Sequence, residues 1–112
     1  MNVEIIGDRE FIGSVKAQDG VWVLMEGQSL YALPAEGGRD LPVWSSAEKA
    51  EVFAENLNPN GLSPVFIPMN SFLGAVWLDS SDLKIVDVLA SPRYGQESLT
   101  YTVEELRAKL KT

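Results

Sequence analysis

Between Leu41 and Ala54 a short apolar run, Leu41-Pro42-Val43-Trp44, ends at Ser45-Ser46, and a helical pattern begins at once. No other boundary in the chain is as sharp, and a fold has to turn a strand into a helix there. Either serine can cap the helix, because a serine oxygen accepts a bond from an unpaired first-turn N–H. Ser45 and Glu48 stand at the S-x-x-E spacing of a capping box. Behind the cap, Ala47, Ala50, Phe53, Ala54 and Leu57 recur at helical spacing on one apolar face, with Glu48, Lys49, Glu51 and Glu55 elsewhere on the wheel. Alanines let such a helix approach a sheet closely, and Phe53 supplies bulk. Trp44 reads as part of this core corner, with a ligand-binding role as the alternative.

The rest of the chain supplies short elements of both types. Asp8 caps an expected helix over Arg9 to Ala17 with Phe11, Ile12 and Val15 on one face, after a short strand or arm at Val3 to Ile6. Asp19-Gly20 is a breaker. Val21 to Met25 is a continuous apolar run of strand length, which predicts a strand covered on both faces. Leu30 to Leu33 follows as its antiparallel partner, Pro34 to Asp40 as a loop, and Leu41 to Trp44 as a third strand, so this half reads as a three-stranded meander between helices.

The turn cluster Asn56 to Ser63 ends the central helix. Pro64 to Pro68 reads as a short edge strand, because proline donates nothing to a ladder. Asn70 is placed to cap a helix from Ser71 to Leu78, and Leu83 to Ala90 reads as a strand. Ser91 to Ser98 is a polar loop and Leu99 to Tyr101 a short strand. Thr102 with Glu105 is a second capping box, opening a helix from Val103 to Lys111 whose acidic start and basic end complement its dipole. With no βαβ repeat and no linker, 112 residues predict one α+β domain, 1–112, with a mainly antiparallel sheet and helices packed against it.

Composition removes several chemistries. The chain has no histidine and no cysteine, so Ser-His-Asp and Cys-His systems, histidine-ligated metals and thiolate sites are excluded. Neither a phosphate-binding loop nor a dinucleotide fingerprint is present. Sixteen acidic residues against nine basic give a net charge of −7, which disfavours nucleic acid and suits a basic protein partner. No run is long enough to span a membrane and no basic-then-apolar leader opens the chain. The expectation is therefore a cytoplasmic protein that is monomeric or homodimeric and does not bind membranes.

Candidate sites are few. Asp79, Asp82 and Asp87 are the densest carboxylate grouping, but they lack calcium-loop order and sit among serines, as in a solvated loop. Trp22, Trp44, Trp77 and Tyr31 read either as core or as a peptide groove. Arg93 and Tyr94 stand in the longest late loop, and with Trp44 they are the binding candidates; no catalytic residue, metal ligand or cofactor is assigned.

The order of landmarks resembles a family of small bacterial proteins of unknown function, DUF2750. The resemblance rests on Val21-Trp22-Val23-Leu24, the Leu41-Pro42-Val43-Trp44-Ser45 corner, Ala50-Glu51 with Phe53-Ala54, Ile67-Pro68-Met69-Asn70-Ser71-Phe72-Leu73 with Trp77, and Thr102-Val103-Glu104-Glu105-Leu106. It spans Phe11 to Leu110. Asn70-Ser71 stands where the family has an acidic pair, and Ser91 to Leu99 is poorer in glycine and asparagine. The corner also overlaps faintly with the N-terminal domain of SseB-like proteins. The resemblance implies a compact α+β domain with no assigned activity and no site residues. The function expected is a non-catalytic protein-interaction or regulatory module. The alternatives are an immunity-type inhibitor of a basic toxin and a carboxylate-dependent small-molecule hydrolase.

Overall fold

The computed structural model describes residues 6–57, 61–74, 77–78, 80, 82–93 and 98–111. Of the strand or arm expected at Val3 to Ile6, residues 3–5 lie outside the described residues, as do Val76, Asp79 and Tyr94, and Ile6 already belongs to the first helix. Among the described residues, four helices and seven strands follow one another as α1 (Ile6–Gln18), β1 (Gly20–Glu26), β2 (Ser29–Leu30), β3 (Leu33–Ala35), β4 (Gly38–Val43), α2 (Ala47–Leu57), β5 (Ser63–Pro68), α3 (Met69–Phe72), β6 (Ile85–Ala90), β7 (Leu99–Thr102) and α4 (Val103–Lys111). This is an α+β domain, but its strands form two sheets, ordered β2-β1-β5 and β3-β4-β6-β7.

The expected meander is therefore replaced by two hairpins. β1 pairs antiparallel with β2 through Met25 opposite Leu30, and then the chain leaves that sheet. The segment read as a loop forms the second hairpin, β3 against β4, with Leu33 opposite Asp40. Its tight turn needs glycine twice. Gly37 holds φ at +83°, and a Cβ on Gly38 would run into the Lys84 carbonyl and the Val86 side chain of the neighbouring strand. Proline-bracketed β5 does lie at a sheet edge, paired antiparallel with β1 from Gly20–Pro68 to Met25–Ser63. β4 and β6 run parallel, Leu41 opposite Val88 and Val43 opposite Ala90, and β6 pairs antiparallel with β7. Four of the five strand pairings are antiparallel.

Among the described residues, one backbone bridge links the two sheets. Trp22 and Trp44 exchange both backbone bonds, N–H to carbonyl, at 2.9 and 2.8 Å. Strand alternation explains why β1 reads as uninterruptedly apolar. Val21 and Val23 face a main core with Phe11, Val15, Leu41, Val43, Val88 and Leu106, whereas Trp22 and Leu24 face a second cluster with Trp44, Ala50 and Ala54 beneath α2. The expected helix faces hold for α1 and α4, where Phe11, Val15, Leu106 and Leu110 are buried.

Two helix boundaries differ from expectation, and at α2 one of the two candidate caps is selected. α1 begins at Ile6, so Asp8 lies inside the first turn. There its carboxylate accepts the Tyr101 hydroxyl and pairs with Lys109 at 3.5 Å, tying α1 to β7 and α4. α2 is capped by Ser46, whose Oγ accepts the Lys49 N–H at 3.2 Å. α3 is a single turn starting after Pro68, with no side-chain cap; Asn70 Oδ1 accepts the adjacent Ser71 N–H. Gly74 breaks the longer helix by following it with a turn, its N–H on the Ser71 carbonyl at 3.1 Å. Among the described residues, no helix is long and apolar enough to cross a membrane.

Candidate functional site

The carboxyl ends of the parallel strands β4 and β6 lie side by side, and the chain leaves both there. β4 turns directly into α2, while β6 leads into Pro92 and Arg93. Crevices beyond the carboxyl ends of parallel strands are favoured positions for ligands, because the diverging connections leave space between them. In this protein a cleft of about 760 Å³ opens at that position. Glu10 and Phe11 of α1 form one wall, and Glu48, Lys49, Val52, Phe53 and Asn56 of α2 form the other. Ser45, Ala90, Ser91, Pro92 and Arg93 supply the strand ends, and Ser98 and Leu99 the start of β7.

A hydrogen-bonded serine pair joins the strand ends at the base of the cleft. The Ser45 N–H donates to Ser91 Oγ at 3.2 Å, and Ser91 Oγ–H reaches back to Ser45 Oγ at 3.4 Å. Lys49 Nζ, one helical turn into α2, also donates to Ser45 Oγ at 3.4 Å. On the far side, Gln18 Nε2 donates to the Ser45 carbonyl at 2.8 Å, and the Trp22 indole donates to Gln18 Oε1 at 3.3 Å. Ser45 is 7% exposed and is bonded to Gln18, Lys49 and Ser91. Ser91 has φ of +46°, a conformation that costs a non-glycine residue about 1–2 kcal/mol and that is further disfavoured before proline. Its N–H bond to the Val43 carbonyl at 2.6 Å and its hydroxyl bonds hold it there. Backbone strain of this kind persists where surrounding contacts over-determine it, commonly at ligand sites.

The sequence candidates are distributed differently. Trp44 is fully buried. Its indole N–H donates to the Pro92 carbonyl at 3.0 Å, and its ring lies 5.2 Å from that of Phe53. It supports the cleft from beneath: Phe53 and Pro92 are lining residues that rest on it. Arg93 is exposed at the cleft mouth, and Tyr94 lies outside the described residues. The aromatic residues do not share one groove. Trp22 and Tyr31 pack with Trp44 in the cluster under α2, whereas Trp77 packs against the main core.

The carboxylate grouping also divides. Asp82 is exposed, and its backbone carbonyl, with that of Leu83, accepts the Arg39 guanidinium at 3.4 and 2.8 Å. Asp87 stands opposite Asp40 across the parallel pair. Partial burial, and then the nearby Asp87 charge, hold the Asp40 carboxyl above the usual range. Neither lines the cleft, and no group of three or more potential metal-ligating side chains occurs among the described residues.

Lys49 and Ser91, central to the cleft, were not singled out from the sequence. The usable signal was the pairing of β4 with β6, which no local pattern contains. The cleft thus combines a rigid hydroxyl pair with a lysine, an arginine at the mouth, glutamates on both walls, and an apolar base of Phe11, Phe53 and Leu99. Such a lining suits recognition of a ligand with both apolar and charged parts.

No curated protein matches the chain. The family model for DUF2750, described as a protein of unknown function, matches residues 9–110. That match runs from within α1 to within α4, and the chain belongs to this family.

Proposed function

We propose that this protein is a non-catalytic, cytoplasmic interaction module that holds a segment of a protein partner in the cleft between α1 and α2. The observation that carries this reading is the composition of the cleft. A volume of about 760 Å³ is at the upper end of the range of small-molecule pockets. Its lining mixes apolar side chains, Val52 (61% exposed), Phe53 and Leu99, with serines, a lysine, an arginine and glutamates, the mixture found in binding clefts.

The acidic balance of −7 favours a basic partner by long-range attraction. An immunity-type inhibitor of a basic toxin is one form of such a module, supported by the same acidity. The carboxylate-dependent hydrolase is less well supported. Acid–base carboxylates are normally desolvated in a cleft; Glu10 and Glu48 on the cleft walls are exposed, and the Asp40–Asp87 pair lies elsewhere. Lys49 is likewise exposed, whereas a catalytic lysine base depends on burial.

Site-specific photo-crosslinking in native cells tests the proposal. A benzophenone side chain at Asn56, on the cleft, is expected to give one discrete protein adduct that disappears in high salt. The same group at Glu36, in the β3–β4 turn, is expected to give none. Matching adducts from both positions, or none from Asn56, would overturn the cleft as the interaction site.

A further inference from the structure

Resting on the reading of the cleft as a binding site, we infer that its occupant is the free C-terminal end of a peptide. The terminal carboxylate is held by Lys49, Ser45 and Ser91, and an apolar last side chain lies on Phe11, Phe53 and Leu99.

The donor arrangement carries the inference. Ser45 Oγ accepts from both Lys49 Nζ and Ser91 Oγ. The Ser45–Ser91 contact uses one hydroxyl hydrogen of the pair, so whichever serine donates, the other's hydrogen is left for an incoming acceptor in the cleft. Lys49 uses one of its three N–H donors on Ser45. Its other two remain beside that hydroxyl, and Arg93 adds a second cation at the mouth. A planar, two-oxygen anion makes use of such donors better than a neutral amide does, because a charge-assisted bond is about twice as strong as a neutral one. The positioning is rigid: Ser45 is held by Gln18 and by the end of β4, and Ser91 is locked at φ of +46°.

The rest of the lining sets the ligand class. A small anion alone would leave the half-buried Phe53 and Leu99 uncovered. It would also gain nothing from Glu10 and Glu48 on opposite walls. A peptide terminus satisfies all three features. Its carboxylate meets the cationic end, its last side chain covers the aromatic base, and a lysine or arginine upstream meets the glutamates. Capture of a C-terminal carboxylate is a recurrent mode of peptide recognition, and upstream basic residues match the overall charge of −7.

The test uses N-acetylated hexapeptides with lysine or arginine upstream of a terminal leucine, isoleucine, valine or phenylalanine, each made as the free acid and as the C-terminal amide. Binding is read by fluorescence anisotropy, and its location by amide chemical shifts of the ¹⁵N-labelled protein. The free acids are expected to bind roughly tenfold or more tightly than the amides, the range of one charge-assisted bond, and to shift the amides of Ser45, Lys49 and Ser91. Lys49→Met is expected to erase the acid–amide difference, and Lys49→Arg to restore part of it. Because Lys49 is exposed, both variants retain the fold, which circular dichroism verifies. Equal binding of acids and amides at the cleft would overturn the carboxylate inference and leave the binding module standing. Equal binding of 4-methylpentanoate and the peptide acids would overturn the peptide as occupant. If neither peptide form shifts a cleft residue, both the inference and the reading beneath it fail.

Discussion

The starts of α2 and α4 are built from the same short pattern and end in opposite states. Both carry a hydroxyl three residues before a glutamate, Ser45 with Glu48 and Thr102 with Glu105. At α4 the box closes on itself. The Glu105 N–H donates to Thr102 Oγ1 and the Thr102 N–H donates to Glu105 Oε1, both at 3.1 Å. At α2 the cap moves one residue on, to Ser46. Ser45 is turned toward Ser91 and Lys49 instead, and Glu48 stands exposed on the cleft wall. A box whose polar groups satisfy each other stabilises a helix and offers nothing to a ligand. A box that is drawn open by a neighbouring strand leaves its hydroxyl to line the cleft and its glutamate exposed. The difference arises from the surroundings: β7 runs straight into α4, whereas β4 ends beside the parallel end of β6.

The largest test of this contrast lies beneath α2. Trp44→Ala should destabilise the protein by about 3–5 kcal/mol, measured by urea unfolding, because it removes a fully buried ring packed on Phe53 and the indole bond to the Pro92 carbonyl. A loss below about 1 kcal/mol would mean that the α2 corner does not depend on the tryptophan.

A smaller effect is expected where α1 meets the end of β7, next to the closed box. Tyr101 donates its hydroxyl to Asp8. Burial first, then that bond, then the charges of Asp8 and Glu105, hold the phenol well above its usual range. The folded state therefore keeps this proton more tightly than the unfolded chain. The resulting stability is fully present below the unfolded value near 10 and is lost as pH rises through the folded value. Tyr101→Phe should cost about 1.5–3 kcal/mol at neutral pH, the range of a hydrogen bond to a charged acceptor, and should flatten the alkaline decline in thermal unfolding temperature. An unchanged alkaline slope would refute the assignment.

The capping residues separate the two helix starts directly. Thr102→Ala should cost about 1 kcal/mol, and Ser46→Ala a similar amount, since each removes an actual cap. Glu105→Gln should retain most of the box. Ser45→Ala is expected to have the smallest effect on stability, a few tenths to about 1 kcal/mol from lost hydroxyl bonds, while reducing ligand binding in the cleft. A larger stability loss for Ser45→Ala than for Ser46→Ala would place the α2 cap where the spacing first suggested it.

Local pattern was informative wherever one element settles its own form. The apolar run Val21 to Met25 is a strand covered on both faces. The alanine face of α2 is buried at Ala50 and Ala54, and Thr102 with Glu105 caps α4. Proline bracketing placed β5 at an edge, since its missing N–H groups cannot serve an inner strand. These signals are one-body properties of the chain: side-chain period, turn chemistry and the unpaired donors of a helix start.

Pairings between distant segments were not legible in that way. Pro34 to Asp40 reads as a loop because proline and glycine dominate it, yet Leu33–Ala35 and Gly38 onward form a hairpin because β4 docks on β6. The helix expected from Ser71 to Leu78 is one turn, since Gly74 and its turn redirect the chain so that the Leu78 N–H reaches the Phe72 carbonyl. The cleft depends on the same kind of information. Ser45 and Ser91 are 46 residues apart, and only the parallel pairing of β4 with β6 brings their hydroxyls together with Lys49. The sequence by itself determined an acidic α+β domain without histidine or cysteine, and the caps and faces of its helices. The tertiary structure alone decided which strands are neighbours, because pairing energy depends on segments that have no periodic relation along the chain. With that choice it decided where the cleft opens and which side chains face it.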